Sequence, residues 1–455
     1  MNLTVCILAA GQGKRMNSDL PKVLHTLADK PLVGHVIDTA REISPQDPIV
    51  VYGSGGSLLP EAFQHDSIVW VEQREQLGTG HAVGQALTHA PSDTMFLILY
   101  GDVPLIRSST LLRLVGVAES TGFGLLTAVF QDPHGYGRIV RSSDGEIIRV
   151  VEEKDASPAE RAVTEINTGI MAIKSDHLRR WIPSLSNKNA QGEYYLTDCV
   201  ALAVGEGIEI ASISALSVAE VTGINDRAEL ATLERQYQNL AARELMECGV
   251  TLRDPSRVDI RGELTCGRDV EIDINSVFIG KVILGNRVTI GPNCIVENAV
   301  LGDDVELLAN CVIESAEIGS ESRIGPFARV RPGSVFGSAV HIGNFVEVKN
   351  SRVGDRSKIN HLSYVGDSEI GHNVNVGAGT ITCNYDGVAK HTTVIEDDVF
   401  VGSGTQLVAP VTVGRGATIG AGTTVTADVG AQELVVSRVK QKAVPGWSRS
   451  RKKNK

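Results

Sequence analysis

Ile318-Gly319, Ile324-Gly325, Ile342-Gly343, Val353-Gly354, Val365-Gly366, Ile370-Gly371, Val376-Gly377: an aliphatic residue followed by glycine recurs through this stretch, mostly six residues apart. The ladder opens upstream at Leu284-Gly285, Ile290-Gly291 and Leu301-Gly302, and resumes at Val401-Gly402, Val413-Gly414 and Ile419-Gly420. Rungs without the glycine fill most gaps: Val296, Leu307, Ile313, Val330, Val348, Ile359, Leu407 and Val425. A helix repeats near 3.6 and a simple strand at 2, so a period of six is neither. It describes short strands joined by tight turns, each strand sending one aliphatic side chain inward. That is the hexapeptide pattern of a parallel β-helix, in which three strands make a triangular coil and the coils stack into a prism.

The ladder breaks once, between Val376 and Val401. From Gly377 to His391 the sequence suits an exposed excursion, with Asn384, Asp386, Gly387 and Lys390 in it. Insertions in solenoids map to loops, often on the binding face. Just upstream lies Lys358-Ile359-Asn360-His361-Leu362-Ser363-Tyr364. With Ile359 inward, His361 falls near a corner, beside Tyr364 and not far from Asn375. A lone histidine there is either a structural or solvated side chain or a general base. Its neighbours and the excursion favour chemistry.

Upstream of the ladder the pattern changes. Leu3 to Leu8 is an apolar strand running into Ala9-Ala10-Gly11-Gln12-Gly13-Lys14-Arg15-Met16. A glycine-rich turn after a buried strand lets backbone N–H groups approach phosphate oxygens, or is simply a strand-to-helix turn. Arg15, and Lys22 in Leu20-Pro21-Lys22, add cations near it. The third glycine of the dinucleotide fingerprint and the Gly-Lys-Ser/Thr of a P-loop are both missing. Ile49–Tyr52 and Ser67–Glu72 read as strands and Pro31–Arg41 as a helix. In Gln73-x-x-Gln76-Leu77-Gly78-Thr79-Gly80-His81-Ala82, Gly78 and Gly80 are expected to admit a ligand, with Gln73 and Thr79 bonding a base edge or hydroxyl.

Met95–Tyr100 is wholly apolar and reads as a buried central strand ending at Gly101-Asp102. A carboxylate at the C-terminal end of such a strand lies where α/β sheets bind ligands. Asp102 either meets phosphates through Mg²⁺ or caps a turn. Gly137 is expected to let backbone near a ligand; Glu152, Asn167 and Glu193, taken singly, are surface polar residues or contacts. Asn225 is a second oxygen for a metal, with Asp226 beside it as a helix cap. Ala228 to Met246 repeats Leu, Ala, Glu and Arg at helical spacing and reads as a linker helix. The organisation expected is a domain at 1–227, a linker at 228–248 and a repeat domain at 249–455.

Composition agrees. The 455 residues exceed one ordinary core. Aromatics are only 4% beside 47 glycines, as a thin aliphatic solenoid core needs. A balance of 43 basic against 54 acidic residues excludes a general nucleic-acid binder. The exception is the basic tail Ser448 to Lys455, read as solvated. Cys6, Cys199, Cys248, Cys266, Cys294, Cys311 and Cys383 are odd in number and scattered. They suggest neither a disulfide framework nor a zinc site, and point to a reducing cytoplasm. The N-terminus lacks the basic region of a signal peptide, and no run reaches the roughly 18 apolar residues of a membrane span.

Leu8-Ala9-Ala10-Gly11-x-Gly13-x-Arg15-Met16, Leu20-Pro21-Lys22, Gln76 to Ala82, Tyr100 to Leu105, Gly135 to Ile139 and Glu165 to Gly169 resemble the sugar-1-phosphate nucleotidyltransferases. With its second half, nearly the whole chain resembles the bifunctional uridyltransferase/acetyltransferases that make UDP-N-acetylglucosamine. The resemblance implies an α/β chain: a Rossmann-like nucleotidyltransferase domain with a mixed, mainly parallel sheet, a linker helix, and a left-handed parallel β-helix of hexapeptide repeats. It implies that Leu8, Ala9, Ala10, Gly11, Lys22, Gln73, Gly78, Thr79, Tyr100, Gly101, Asp102, Gly137, Glu152, Asn167 and Asn225 bind UTP and the UDP-sugar. Arg15 and Lys22 are then catalytic, and Asp102 and Asn225 hold Mg²⁺.

In the repeat domain the resemblance makes His361 the base and gives the sugar phosphate Arg331, Lys349, Tyr364 and Asn375. Acetyl-CoA falls to Ala378, Asn384, Tyr385, Ser403, Ala421 and Arg438, in clefts between the prisms of a homotrimer. Asp226 departs from the pattern, where a second Asn is expected. The rival reading is a single nucleotidyltransferase whose β-helix only oligomerises or regulates. A passive prism needs neither His361 and Tyr364 nor the excursion at Asn384.

Overall fold

The computed structural model describes residues 2–11, 13–53 and 56–448; residues 449–455 of the basic tail lie outside them. Two compact units, Met1–Tyr237 and Gln238–Lys455, follow one another along the chain. Their boundary falls inside the helix Arg227–Glu247. Leu230, Leu233 and Tyr237 of its first half pack with Leu27, Leu32 and Ile224. Ala241 and Leu245 of its second half pack against the aliphatic core of the second unit. There the buried Gln238 bonds the Ile260 backbone both ways, Nε2 donating to O at 2.9 Å and Oε1 accepting from N at 2.8 Å.

The first unit is built on a nine-stranded sheet whose centre is Leu3–Ala9 beside Met95–Tyr100. Leu3–Ala9 is buried along its length and pairs in parallel with Met95–Tyr100 on one side and Ile49–Tyr52 on the other. Val69–Glu72 continues the sheet in parallel. Along the main strand order Glu165–Lys174 alone runs antiparallel to both its neighbours, Met95–Tyr100 and Phe123–Val129, and Ala211–Ser214 pairs in parallel with Phe123–Val129. Helices cover both faces, giving two apolar cores. A strand buried on both faces must be apolar throughout, which is why Leu3–Ala9 and Met95–Tyr100 carry no charge.

The second unit is a left-handed parallel β-helix. Every coil adds a strand to an 11-stranded sheet, and a 17-stranded sheet winds over the remaining faces. The rungs from Leu284 to Val425 are buried in one aliphatic cluster. The stack begins earlier than the ladder shows, with Val258, Ile260, Val270, Ile272, Phe278 and Val282 already inside. Stacking also explains the glycines. A Cβ on Gly343 would stand 1.9 Å from Asn360 O of the next coil, and one on Gly319 would stand 2.3 Å from Gly337 O. Corners use Asn and Asp, whose short side chains tolerate positive φ. Asn275, Asn293 and Asn310, all near φ 60°, pass a side-chain hydrogen bond from coil to coil at 2.9 and 3.3 Å.

The break in the ladder is shorter than its sequence suggests. Ile381–Cys383 is still a strand, and Thr382 takes the inward place, fully buried. Its hydroxyl donates to Gly366 O at 3.2 Å and accepts from Gly366 N at 2.8 Å, so a polar side chain fills a rung at little cost. The excursion proper runs from Asn384 to His391. Across it the coil-to-coil offset rises to 25, as in Ser368↔Thr393, from the 17 that separates Asn350 and Asp367.

Candidate functional site

In the first unit, strand pairing sets Leu8 opposite Tyr100, so Ala9-Ala10-Gly11 and Gly101-Asp102 leave the sheet side by side. They open on a cavity of about 750 Å³. Leu8, Ala9, Ala10, Gly11, Arg15, Lys22, Gln73, Gly78, Thr79, Tyr100 and Asp102 line it, together with Lys14, Gln76, Gln191 and Glu193. Gln76 had no role in the sequence reading. Its Nε2 donates to Ala10 O at 2.6 Å and so fixes the turn after the first strand. A Cβ on Gly53 would strike both atoms of that bond at 2.5 Å.

Lys22 reaches across this cavity. Its ammonium pairs with Asp102 Oδ2 and stands 3.4 Å from Asn225 Oδ1. An oxygen just past the strand Met95–Tyr100 and another from the loop before the helix Arg227–Glu247, 123 positions apart in number, thus converge on one cation. Among the described residues there is no group of three or more His, Cys, Asp or Glu side chains able to hold a metal. A carboxylate and an amide oxygen nevertheless suit Mg²⁺, which keeps several waters and takes other ligands from phosphates. Here both oxygens face the Lys22 ammonium. Asp226 is not part of this set: its Oδ1 accepts from Ala228 N and Glu229 N, both at 2.9 Å. It caps the helix Arg227–Glu247, and Glu229 Oε2 accepts from Asn225 N at 2.6 Å, which fixes the backbone of Asn225.

Gly137, Glu152 and Asn167 form a neighbouring cluster. Asn167 pairs with Gly137 across strands, and its buried Oδ1 accepts from Gly169 N at 3.0 Å. Burial raises the Glu152 carboxyl above its ordinary range, against the opposing pull of a hydrogen bond from Thr197; that bond is 3.0 Å. The Tyr100 phenol is pushed up by burial and then by Glu152 and Asp102. The glycines here answer to the chain itself. A Cβ on Gly78 would meet Tyr194 O at 2.7 Å and one on Gly80 would meet Leu185 Cδ1 at 2.5 Å. At Gly137 the neighbours are Val150 and Glu152. A side chain at any of these glycines would press on packed protein, while the backbone of Gly78 itself lines the cavity.

In the second unit a column climbs one corner of the prism. Leu362 N donates to Asn344 O, Gly379 N to His361 O, Gly404 N to Ala378 O and Gly422 N to Ser403 O. Asn344, His361, Ala378, Ser403 and Ala421 are therefore stacked coil above coil. His361 is exposed at the end of strand Lys358–His361. Its Nδ1 lies 2.9 Å from Asn344 Oδ1. Above it only small side chains follow, so a shallow track runs up from the imidazole. Arg438 lies past its upper end, with Nη2 3.0 Å from where a Cβ on Gly420 would be.

Beyond the corner stands a charged group. Arg331 Nη1 donates to Glu347 Oε1 at 2.9 Å, and Lys349 Nζ is 4.0 Å from Asp367. Burial raises Asp367, but hydrogen bonds from Asn350 and Asn384 and the charge of Lys349 outweigh it, and the carboxyl stays below its ordinary range. Lys390 is lowered by the Lys349 ammonium beside it. Lys349 and Lys390 are thus neighbouring cations on this face. Tyr364 belongs to the same sheet, whereas Asn375 lies on the other sheet of the prism. The excursion is held internally: Asp386 Oδ2 meets His391 Nε2 at 2.7 Å, and Tyr385 OH donates to Gly387 O at 2.6 Å. Asn344, Glu347 and Asp367 were not singled out by sequence, and Lys390 only as a residue of the excursion, because their partners come from other coils.

Known families match both units. The MobA-like NTP transferase domain matches residues 5–178, the GMPPB C-terminal domain residues 260–353, and the bacterial transferase hexapeptide (six repeats) residues 392–427. The bifunctional protein GlmU of Cupriavidus pinatubonensis is 56% identical over 453 residues, covering 100% of each chain. That of Azoarcus sp. is 55% identical over 447 residues, 98% of this chain and 99% of its own. That of Nitrosospira multiformis is 54% identical over 454 residues, 100% of this chain and 99% of its own. With likeness of this extent along its whole length, the chain belongs to the GlmU family of bifunctional proteins.

Proposed function

We propose that this protein carries out two transfers in the synthesis of UDP-N-acetylglucosamine. The second unit moves acetyl from acetyl-CoA to glucosamine 1-phosphate. The first unit then joins the product to the uridylyl group of UTP and releases pyrophosphate. The observation that carries this reading is the presence of two unlike sites in two separate units. One is a cationic cavity at the ends of parallel strands; the other is an exposed imidazole at the foot of a small-residue track.

For acetyl transfer, an ammonium has no lone pair, so a base must take a proton from the sugar amine. The amide oxygen of Asn344 can only accept, which keeps the His361 proton on Nδ1 and leaves Nε2 free as the base. The amine nitrogen then attacks the thioester carbonyl, the C–S bond breaks, and the CoA thiolate takes up a proton. Lys349 and Lys390, with Arg331, supply charge for the sugar phosphate. Tyr364 and Asn375 complete its site. The track Ala378, Ser403 and Ala421 takes the thioester arm, with Asn384 and Tyr385 at its side and Arg438 at its far end.

For uridyl transfer, a phosphate oxygen of N-acetylglucosamine 1-phosphate attacks the α-phosphorus of UTP, and the bond to the leaving pyrophosphate breaks. Anion meets anion, so charge neutralisation matters more than a base. Arg15 and Lys22 face the phosphates. Mg²⁺, when bound between Asp102 and Asn225, supplies further positive charge there. Leu8, Ala9, Ala10, Gly11, Gln73, Gly78, Thr79, Tyr100 and Gly101 hold the nucleotide; Gly137, Glu152 and Asn167 hold the sugar.

The working assembly is a homotrimer of prisms. Phe327 and Phe345 stack in the open with ring centroids 5.3 Å apart, and Leu362 stands exposed at the same corner. Lys349 and Asn375 occupy different sheets of one prism, as expected if a substrate bridges neighbouring copies. Seven cysteines, all free, suit the cytoplasm, and among the described residues no helix is long and apolar enough to cross a membrane. No nucleic acid or membrane partner is proposed. The purified full-length protein should release CoA thiol from acetyl-CoA with glucosamine 1-phosphate. It should release pyrophosphate from UTP with N-acetylglucosamine 1-phosphate and Mg²⁺. Absence of either product removes the corresponding half of the proposal.

A further inference from the structure

His81 takes no part in the chemistry above, yet it touches Gln73, a cavity side chain able to read a base. Gln73 follows the strand Val69–Glu72 and is almost wholly buried, at 3% exposure. Its Nε2 lies 3.1 Å from Gly78 O and 3.0 Å from His81 Nδ1. A carbonyl oxygen only accepts, so the amide atom facing Gly78 is the nitrogen. That same nitrogen gives its second hydrogen to His81, whose Nδ1 is therefore a lone-pair acceptor. The imidazole proton then sits on Nε2. Gln85 Nε2 is placed 3.2 Å from His81 Nε2; two N–H donors do not face each other, so a half-turn of that amide presents its oxygen instead.

The consequence falls on Gln73 Oε1. Both amide hydrogens are taken up, and Oε1 accepts no hydrogen bond from the described residues while Gln73 lines the nucleotide cavity. The group offered to a base is thus a fixed acceptor. Uracil presents N3–H to such an oxygen. Cytosine presents a lone pair at the same place. Turning the Gln73 amide over to suit cytosine would set its oxygen against both Gly78 O and His81 Nδ1.

We infer that His81 is a positioning residue for base choice: it locks the Gln73 amide so that the cavity selects a pyrimidine carrying an imide N–H. This rests on the first unit using UTP. It acts through Gln73, and nothing requires His81 to touch the nucleotide.

The test is pyrophosphate release by the full-length protein with UTP and with CTP, each with N-acetylglucosamine 1-phosphate and Mg²⁺. Leucine at position 81 removes the acceptor; asparagine restores one near the place of Nδ1. His81→Leu should lower the UTP-to-CTP ratio of kcat/KM about tenfold, mainly through KM for UTP. His81→Asn should keep the ratio within about twofold of the wild-type value. If the leucine protein does not fold, His81→Ala reads the same ratio with a residue that favours helix. A merely structural role lowers both substrates together and leaves the ratio alone. An unchanged ratio in the leucine or alanine protein, or equal losses in the leucine and asparagine proteins, overturns the inference. A wild-type protein that makes no pyrophosphate from UTP removes the underlying reading instead.

Discussion

His361 Nδ1 lies 2.9 Å from Asn344 Oδ1, one coil below it in the prism. The pair fixes the ring's orientation and leaves Nε2 as the free base. Replacing Asn344 by leucine should lower kcat for acetyl transfer tenfold to about a hundredfold, within the range that a well-placed general base supplies. KM for acetyl-CoA and the uridyl transfer rate should hold. Steady-state kinetics of both reactions check this; equal acetyl transfer by Asn344→Leu and wild type would show the contact to be incidental.

The Lys22 ammonium sits between Asp102 and Asn225. Asp102→Asn removes one charge from the proposed Mg²⁺ site. Uridyl transfer should fall by about a hundredfold or more, and the Mg²⁺ concentration for half-maximal rate should rise. Acetyl transfer measured in the same preparation serves as the folding control.

Glu152 carries a cost at neutral pH. Its carboxyl is raised from 4.5 by burial, so the folded state holds the proton more tightly than the unfolded one. Its contribution to stability is fully present below about pH 4.5 and is lost as pH rises through the raised value. Glu152→Gln keeps an oxygen for Thr197 and removes the charge. The variant should melt higher than wild type at pH 7, with the difference vanishing below about pH 4.5, while uridyl transfer falls. Thermal unfolding followed through buried Trp181 at several pH values tests it; a lower melting temperature at pH 7 contradicts the burial account.

Two neighbours in the ladder should fail for different reasons. Ile342→Ala leaves a void in the aliphatic stack and should cost about 2–5 kcal/mol. Gly343→Ala drives a Cβ to 1.9 Å from Asn360 O, which only backbone displacement relieves. Both should weaken acetyl transfer on warming before uridyl transfer suffers. Activity half-lives at a raised temperature distinguish this from a uniform loss.

The prism was legible because each strand sends a single side chain inward, so the period of six survives in sequence. It failed in the first coils, where the inward residues from Val258 to Val282 are not followed by glycine, and where the inward side chain departs from the series: Thr382 fills a core position through its hydrogen bonds to Gly366, and Phe336 is inward without being aliphatic. In the first unit, residues at strand ends such as Asp102 were legible because an apolar run locates the end. What brought Asn225 to Lys22, 203 positions away, and Asn344 under His361, 17 positions away, is tertiary and leaves no spacing to read. The packing that requires glycine at 78 and 80 was hidden for a similar reason. The backbone that crowds them, Glu193 to Leu196, comes from more than a hundred positions downstream, as the 117-position bond from Leu196 N to Thr79 Oγ1 illustrates.

The central claim is that two chemically independent sites reside in two units of one chain. It is tested most directly by measuring CoA-thiol release and pyrophosphate release side by side for wild type, His361→Ala and Asp102→Ala. The expected result is a clean crossing: His361→Ala loses acetyl transfer and keeps uridyl transfer, and Asp102→Ala does the reverse. A His361→Ala protein that still acetylates at the wild-type rate, or either substitution silencing both reactions in a folded protein, contradicts it.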